Sequence, residues 1–441
     1  MLLPLPLLSL PLYLAIITTA WLAEAAIIPL SDYQVVQQAP KKAIKATDMR
    51  KIPSLFHLLR STPDLRGTTS LHTLNAVWDR FWCQGMETWN FNDNACPTFE
   101  FKHPALTDVV VATQAILHVK KITPKEMKQL LKSILLYRLE NGAFATSPGG
   151  DEIDTNENAQ LVQVFLDAYE QTGEDEYLRY AVEVMEYIKT RDFDDRGAIL
   201  QNNKASRVST IATVQTARSA LRLHRINNDM SMLKLGEASF NFLFAHLQDP
   251  KDKLFYDGLD SARLSETQKV VYNTKSIQTA GVAMSALYET FRIIGNPILV
   301  DRAVALAEAL TDKNSPVMSF EKLWLGTPHE LHYVFKGFYD CFLLTPRFHK
   351  FRSEVVRQAN FIFKFLQDEG DYGLFFDQAS STKKSFDRFA RVFQLYDNNY
   401  KAVPDGFCEL DIFSQPRKKL LTNASIAQIL YFVPRFNFMT L

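Results

Sequence analysis

The sequence predicts an all-α protein, an (α/α)6 toroid of six helical hairpins with short β elements in its loops. Helical patterns recur in pairs along most of the chain. The first member of each pair is apolar on nearly every side, and the second carries a single apolar stripe. A helix that is apolar all round is buried, whereas a single stripe covers a core from one side. The repeat therefore predicts an inner ring of helices surrounded by an outer ring.

Each inner helix and the outer helix after it form one hairpin. The pairs are residues 105–120 with 124–139, 157–171 with 176–190, 208–226 with 230–247, 276–294 with 298–313, and 330–344 with 348–368. A sixth inner helix at 422–433 has no following partner, and the N-terminal helix at 69–82 can complete that hairpin only if the two ends of the chain meet. We therefore expect a closed ring rather than an open solenoid.

The segments that follow the outer helices are expected to form one face of the toroid. Short apolar runs with a glycine, such as 142–144 and 373–376, are of a length typical of single edge strands. Longer insertions at 249–274 and 380–421 would lie on the same face as the N-termini of the inner helices. Such loops on a rigid scaffold often carry function, so we expect them to wall a central cleft.

Composition limits the functional classes. The formal net charge is zero, so no basic excess is available to bind nucleic acid without regard to sequence. No Gly-rich phosphate loop or metal-ligand spacing appears, and we expect neither a cofactor nor a metal. Residues 67–441 are predicted to form a single, monomeric domain after an irregular N-terminal arm at 26–66.

The first 25 residues are predicted to be a secretory signal peptide, cleaved near Ala25. An apolar run at 2–22 precedes Ala23, Glu24 and Ala25, which form a small-x-small cleavage pattern. An uncleaved N-terminal anchor is the alternative. No second apolar run reaches the length of a membrane span, so we expect a secreted or cell wall-associated protein.

Four cysteines, Cys83, Cys96, Cys341 and Cys408, fit an oxidising compartment. A pair between Cys83 and Cys96 is one possibility, and four reduced cysteines in the core are another. The single glycosylation sequon begins at Asn423 in an apolar helix, where burial could leave it unused.

An acidic cluster opens the second inner helix: Asp151, Glu152, Asp154 and Glu157 lie within seven residues. Paired carboxylates perform glycoside hydrolysis, in which one protonates the leaving oxygen and the other attacks or stabilises the anomeric carbon. Carboxylates are also stable at any helix N-terminus without doing chemistry. On composition alone, this structural explanation has about the same weight as the catalytic one.

Two aromatic groups are candidate sugar-binding residues, because aromatic rings stack on sugar faces while Asp and Asn bind hydroxyls. The first comprises Tyr256, Asp257, Tyr272 and Asn273, and its alternative is an Asp-Gly turn beside a core tyrosine. The second comprises Trp82 and Trp89 in the loop after the N-terminal helix. Packing over the end of the toroid explains these tryptophans equally well.

The segments 157–178, 254–260 and 286–295 resemble glycoside hydrolase family 76, the α-1,6-mannanases among the six-hairpin glycosidases. The resemblance rests on Glu-Asn-Ala-Gln-Leu followed by Leu-Asp-Ala-Tyr-Glu-Gln-Thr-Gly, on Leu-Phe-Tyr-Asp-Gly-Leu-Asp, and on Ala-Leu-Tyr-Glu-Thr-Phe-Arg-Ile-Ile-Gly. It implies a hydrolase that acts on an α-mannan-type polysaccharide with carboxylates as acid and base.

The resemblance also implies two adjacent aspartates, a nucleophile and an acid/base, at positions occupied here by Asn156 and Glu157. Glu157 can act as an acid, but Asn156 cannot be a carboxylate nucleophile, and Asp154 or Asp257 would have to supply the second carboxylate. The departure favours, as an alternative, an inactive member of the fold that binds glycan. A sugar epimerase is a third possibility, with His329 and His332 as its acid and base.

Overall fold

The computed structural model describes residues 33–36, 69–96, 100–194, 196–260, 269–368, 370, 373–393 and 417–437, with only the backbone for 33–36, 269 and 270. The predicted signal peptide and most of the predicted N-terminal arm lie outside the described residues. In chain order the helices are α1 (Ser70–Phe81), α2 (Leu106–Val119), α3 (Pro124–Leu135), α4 (Thr155–Thr172), α5 (Asp175–Arg191), α6 (Thr210–Asn227), α7 (Met230–Phe242), α8 (Ile277–Ile294), α9 (Pro297–Thr311), α10 (Pro328–Leu344), α11 (Arg352–Phe365), α12 (Lys383–Phe393) and α13 (Leu420–Phe432).

The inner ring is closed. Helices α2, α4, α6, α8, α10 and α13 each contact the next, and α13 contacts α2. Helices α3, α5, α7, α9 and α11 pack outside the inner helices that precede them, while α1 packs on α13. The N-terminal helix thus completes the sixth hairpin, and the predicted (α/α)6 toroid is confirmed.

Three of the turns between inner and outer helices are tight because the inner helix ends in a left-handed residue. Gly173, Asn228 and Gly295 follow α4, α6 and α8 with φ of 73°, 58° and 64°. Glycine and asparagine tolerate this conformation, which ends the helix and turns the chain back. These residues explain the similar turn sequences at 172–175, 226–229 and 294–297.

The apolar runs after the outer helices fold back on the helix ends as isolated bridges. The bridged pairs are Arg138 with Phe144, Phe193 with Ile199, Gln248 with Phe255, Met318 with Trp324, and Gln367 with Phe375. The single edge strands expected at 142–144 and 373–376 are therefore bridged turns, whereas the run expected at 254–258 continues into the strand Tyr256–Asp260. Each bridge brings the chain to the start of the next inner helix, or of the insertion before it.

A small sheet lies beside the N-termini of α6 and α8. Its order is β1 (Tyr33–Val36), β6 (Lys269–Lys275), β5 (Tyr256–Asp260) and β4 (Arg207–Ser209). Strand β1 is parallel to β6, and the other pairs are antiparallel. The insertion 249–274 thus contributes β5 and most of β6. A separate hairpin of Trp82–Cys83 (β2) and Thr88–Trp89 (β3) follows α1.

Helices α8 and α10 approach most closely where two glycines face each other's backbone. A Cβ on Gly281 would lie 2.6 Å from the carbonyl oxygen of Tyr333, and one on Gly337 would lie 2.4 Å from the carbonyl oxygen of Gly281. No real Cβ atom has such contacts, so this crossing depends on glycine at both positions. It fixes the depth at which the α10 side chains enter the ring.

In two inner helices, an asparagine of the first turn forms hydrogen bonds with the backbone of the bridge that precedes the helix. Asn158 accepts a hydrogen bond from the backbone of Phe144 and donates one back, at 2.9 and 2.8 Å. Asn423 does the same with Phe375, at 2.7 and 3.1 Å. Because the Asn423 side chain is buried and fully hydrogen-bonded, the sequon has no room for a glycan in the folded chain.

Cys83 and Cys96 do not form a disulfide with each other. Cys83 and Cys341 are free thiols, whereas Cys96 is in a disulfide. The partner of Cys96 lies outside the described residues. No helix in the described part of the chain is long and apolar enough to cross a membrane.

Candidate active site

Asp154 begins α4 and is fixed as its N-cap. Its carboxylate accepts a hydrogen bond of 2.9 Å from the backbone N–H of Glu157. Burial raises the pKa of Asp154, while the hydrogen bonds from the helix N–H groups of Glu157 and Asn156 oppose the shift. The cap places Glu157 in the first helical turn, at the mouth of the inner ring.

Glu157 combines a hydrogen-bonded oxygen with a free one. Its Oε1 accepts a hydrogen bond of 2.5 Å from the Thr107 hydroxyl of α2. Its Oε2 is buried and has no hydrogen-bond partner among the described residues. Burial raises the pKa of Glu157 to about 7, with smaller contributions from the Asp154 and Asp108 charges, while Thr107 opposes the increase. Such a carboxyl is protonated for a large part of the time near neutral pH, as a general acid must be.

Asn156 lies beside this acid and is half-buried. Its side-chain oxygen accepts a hydrogen bond of 3.1 Å from the Gln160 amide one turn further along α4. An amide cannot form the covalent glycosyl ester of a double-displacement reaction. The second carboxylate of any hydrolytic reaction must therefore come from another position.

Asp108 is a carboxylate at the mouth that the sequence argument missed. It is the third residue of α2, as Glu157 is the third residue of α4. Its carboxylate accepts a hydrogen bond of 3.1 Å from the backbone of Ala105. Burial raises the pKa of Asp108 to about 6, although that hydrogen bond and the Lys419 charge oppose the rise. Equivalence within the repeat was the signal that could have identified it.

Asp377 is a second missed carboxylate, in the turn that follows the fifth hairpin. It accepts a hydrogen bond from Thr422 and pairs with Lys419 at 2.5 Å, and both partners lie at the start of α13. Its charge also acts on His329 of α10. Lys419 thus lies between Asp377 and Asp108, so carboxylates from three parts of the ring surround the mouth. Only ring closure brings them together.

The predicted sugar-binding group around β5 is divided between two environments. Tyr256 is buried, and its ring lies 5.2 Å from the Lys275 ammonium. Asp257, the next residue, pairs at 2.6 Å with Arg207 on the neighbouring strand. Successive residues of a strand face opposite sides, which explains the separation.

Arg207 links Asp257 to Tyr272. Its guanidinium lies over the Tyr272 ring, 4.2 Å from the centroid. Tyr272 is half-buried and Asn273 is exposed. The structure therefore brings Asp257 and Tyr272 together through an arginine that the sequence argument did not single out, and places Tyr256 apart from them.

Trp82 and Trp89 pack into the core beside outer helices. Both are buried, and their rings meet edge to face at 5.1 Å. Trp82 also stacks on Trp78 of α1 at 4.4 Å. The β3 strand that carries Trp89 contacts α3. These contacts place the two rings with outer helices rather than with the helix starts that carry Glu157.

At the start of α10, His329 is half-buried and His332 is buried. Burial lowers the pKa of His329 to about 4 and lowers the pKa of His332 as well. Both imidazoles are therefore neutral at pH 7. Across the described ranges, no group of three or more His, Cys, Asp or Glu is arranged to hold a metal ion.

A closed (α/α)6 ring with a protonatable carboxylate at the mouth defines the class of six-hairpin glycosidases. The model of glycosyl hydrolase family 76 matches residues 86–339, and the chain belongs to this family. Among curated proteins, none matches the chain.

Solved structures, some of them from the same family, share the fold. A family 76 mannosidase from Bacteroides thetaiotaomicron has a TM-score of 0.64 at 15% identity, over 83% of this chain and 98% of that chain. An inactive variant of an α-1,6-mannanase from Salegentibacter sp., in complex with α-1,6-mannotriose, has a TM-score of 0.62 at 13% identity with the same coverage. A cellobiose 2-epimerase from Bacillus thermoamylovorans has a TM-score of 0.55 at 12% identity, also with the same coverage. At these identities the likeness shows the fold alone.

Proposed function

We propose that the chain is a secreted glycoside hydrolase that acts on an α-mannan, with Glu157 as the proton donor. The observation that carries the proposal is the state of Glu157, whose pKa burial raises to about 7 at the mouth of the ring. Family membership supports the reaction class, and the family structures with α-1,6-mannooligosaccharides support the substrate. The predicted signal peptide supports secretion.

In the proposed reaction, protonated Glu157 donates its proton to the glycosidic oxygen as the bond from that oxygen to the anomeric carbon breaks. A water molecule adds to the anomeric carbon, and a second carboxylate takes its proton. Asp257 and Asp377 are held in ion pairs with Arg207 and Lys419. Asp108 and Asp154 accept backbone hydrogen bonds at helix starts, and the charges of both act on Glu157, so they are the better candidates for the base.

The test is release of reducing ends from α-1,6-mannan by the purified mature chain and its Glu157→Gln variant. We expect release by the wild type and a loss of at least about 100-fold in the variant, because general acid catalysis contributes about 10²–10⁴-fold. Glu152→Gln is the matched control, since Glu152 lies in the loop just before α4 and is exposed. Equal activity in wild type and Glu157→Gln would remove Glu157 from the mechanism.

Asn156 favours a second candidate, a member of the family that binds mannan without cleaving it. The Salegentibacter variant described above has asparagine in place of two adjacent aspartates, is inactive, and is in complex with mannotriose. This chain has asparagine, Asn156, at one of the two positions that the family resemblance assigns to such a pair. Binding of α-1,6-mannotetraose without any release of reducing ends would favour this candidate over the hydrolase.

A further inference from the structure

Two adjoining cavities form a groove on the outer wall of the ring, between the first and second hairpins. Their volumes are about 640 Å³ and about 510 Å³. Both are lined by the same four residues, Glu140, Asn141, Tyr187 and Arg191, so each cavity opens beside the other. The turn after α3 and the last three turns of α5 form the shared wall. Each volume is within the range of about 300–1,000 Å³ that is typical of ligand-binding sites.

This outer-wall groove is separate from the mouth of the ring. Asp108, Asp154 and Glu157 line neither cavity. The first cavity begins at the loops before α4 and β4, and the second continues along the outer side of α5. The wall meets the inner ring at Asp192, whose carboxylate accepts a hydrogen bond of 3.0 Å from Thr155, the first residue of α4. A ligand in the groove would therefore lie beside the site of reaction and not in it.

Two opposite charges in the groove are left without a partner. Three other carboxylates of its wall are held in ion pairs: Glu183 with Arg138 at 2.8 Å, Asp151 with Lys204 at 2.7 Å, and Glu186 with Lys189 at 3.1 Å. The Glu140 carboxylate and the Arg191 guanidinium line both cavities, yet neither has an ion pair or a hydrogen bond within the described part of the chain. Both groups are available to a ligand.

Asp192 and Asn141 add a buried acceptor and a free donor. Asp192 is only 3% exposed and lines the first cavity. Burial raises its pKa to about 6, against the Thr155 hydrogen bond and the Arg191 charge. Thr155 occupies one carboxylate oxygen, which leaves the other for a ligand. The Asn141 oxygen accepts a hydrogen bond of 3.0 Å from the backbone of Ala143, so its NH2 group is the part left to donate.

This mixture of groups indicates the chemistry of the ligand. Glu140 and Asp192 accept hydrogen bonds when ionised, whereas Arg191 and the Asn141 NH2 group donate them. A small anion would leave the carboxylates unmatched, and a metal ion would leave the donors unmatched. A neutral molecule with several hydroxyl groups matches both. The apolar side chains of the first cavity suit the C–H face of a sugar ring; they are Leu139, Ile153 and Leu200.

We propose that the outer-wall groove is a second glycan-binding site, which holds a chain of neutral sugars through Glu140, Arg191 and Asp192. Two adjoining cavities suit a chain rather than a single sugar. The choice of α-mannan as the glycan rests on the proposed function, whereas the binding itself requires no cleavage at Glu157. A polysaccharide held at this wall would raise the local concentration of its chain at the mouth.

Hydrogen exchange read by mass spectrometry measures binding at the two sites separately. The full mature chain carries Glu157→Gln, so that the probe, α-1,6-mannotetraose, stays intact during labelling. We expect the tetraose to slow amide exchange in 138–142 and 186–193, which form the outer-wall groove. The concentration that gives half of this effect is the Kd of the groove. Exchange in 155–160, at the start of α4, reports on the mouth.

Arg191→Met and Arg179→Met, each added to that chain, form a matched pair. Both remove one positive charge from α5, but Arg179 lies near the start of the helix and lines neither cavity. We expect Arg191→Met to raise the Kd read at 186–193 by about tenfold, because hydrogen bonds from a charged donor contribute at least this factor. Arg179→Met should leave that Kd unchanged.

Three outcomes would overturn the inference. Slowed exchange at 155–160 alone would remove the outer-wall site and leave the proposed function intact. Slowed exchange in neither region would overturn both proposals, since the tetraose would then have no site on the chain. An equal Kd at 186–193 in the two arginine variants would show that the bound sugar does not contact Arg191, and would overturn the site in this groove.

Discussion

The Thr107 hydroxyl donates a hydrogen bond of 2.5 Å to Oε1 of Glu157 and joins the first turns of two neighbouring inner helices. A donor to a carboxylate stabilises its ionised form, so Thr107 opposes the effect of burial on the pKa of Glu157. The two effects together hold this carboxyl near neutrality. Thr107 is therefore expected to set the pH range in which Glu157 can act as an acid.

Replacing Thr107 with valine should move the alkaline limb of the pH profile upwards. A catalytic acid is active below its pKa, and activity falls as the pH rises through that value. A hydrogen bond to a charged group contributes about 1.5 kcal/mol, which corresponds to about one pH unit. The measurement is kcat/KM on α-1,6-mannan from pH 5 to 9, with Thr107→Ser as the conservative control. If the alkaline limb is unchanged in Thr107→Val, the hydrogen bond from Thr107 does not set the pKa of Glu157.

Glu157→Gln should stabilise the folded chain at alkaline pH. The folded-state pKa of about 7 is above the ordinary value of 4.5, so the associated stability is fully present below pH 4.5 and is lost as the pH rises through 7. The neutral amide avoids this loss. We expect a gain of about 1–3 kcal/mol at pH 8 and little difference at pH 4.

Urea denaturation at the two pH values measures this difference, and exposed Glu152→Gln is the control. A variant that is less stable than wild type at pH 8 would mean that ionised Glu157 is favourable in the fold. Loss of activity together with a gain in stability is the usual sign of a group held for function rather than for folding.

Asn156→Asp should create or raise hydrolytic activity. The Asn156 oxygen accepts a hydrogen bond from Gln160, and an aspartate of the same shape retains that acceptor. The change supplies a second carboxylate beside Glu157, as the family resemblance implies. We expect a gain of at least about tenfold in kcat, equivalent to about 1.4 kcal/mol of barrier.

Mass spectrometry of the variant during turnover provides a separate readout of this change, because a carboxylate nucleophile forms a covalent glycosyl intermediate. Asn156→Gln is the matched control, since it alters the side chain without adding a carboxylate. If Asn156→Asp shows neither a gain in rate nor an intermediate, the existing carboxylates already serve the reaction or the site has lost more than one group.

Periodicity was sufficient to predict the ring and its closure, because each inner helix is apolar all round and the N-terminal helix needs a partner. Glu157 was also accessible to sequence reasoning, since a helix start places it at the mouth. Asp377 was not, because it reaches the mouth from a distant hairpin and nothing in its local sequence reveals that meeting. Tyr256 and Asp257 show a different limit. Alternation along a strand separates them, and although a short edge strand was expected at 254–258, the two residues were grouped by residue type without regard to that alternation.

Arg222→Met should destabilise the fold by about 3–5 kcal/mol. Burial alone would raise the pKa of Asp167, yet Arg222 and His118 outweigh it and hold that pKa well below its usual range. Removing the guanidinium leaves a buried charge without its main partner, which is the costly way to break a buried ion pair. Chemical denaturation at pH 7 gives the free energy of unfolding.

Adding Asp167→Asn should recover part of the loss, because the double variant no longer buries that unpaired charge. A double variant whose loss equals the sum of the two single losses would show that Arg222 and Asp167 are not coupled.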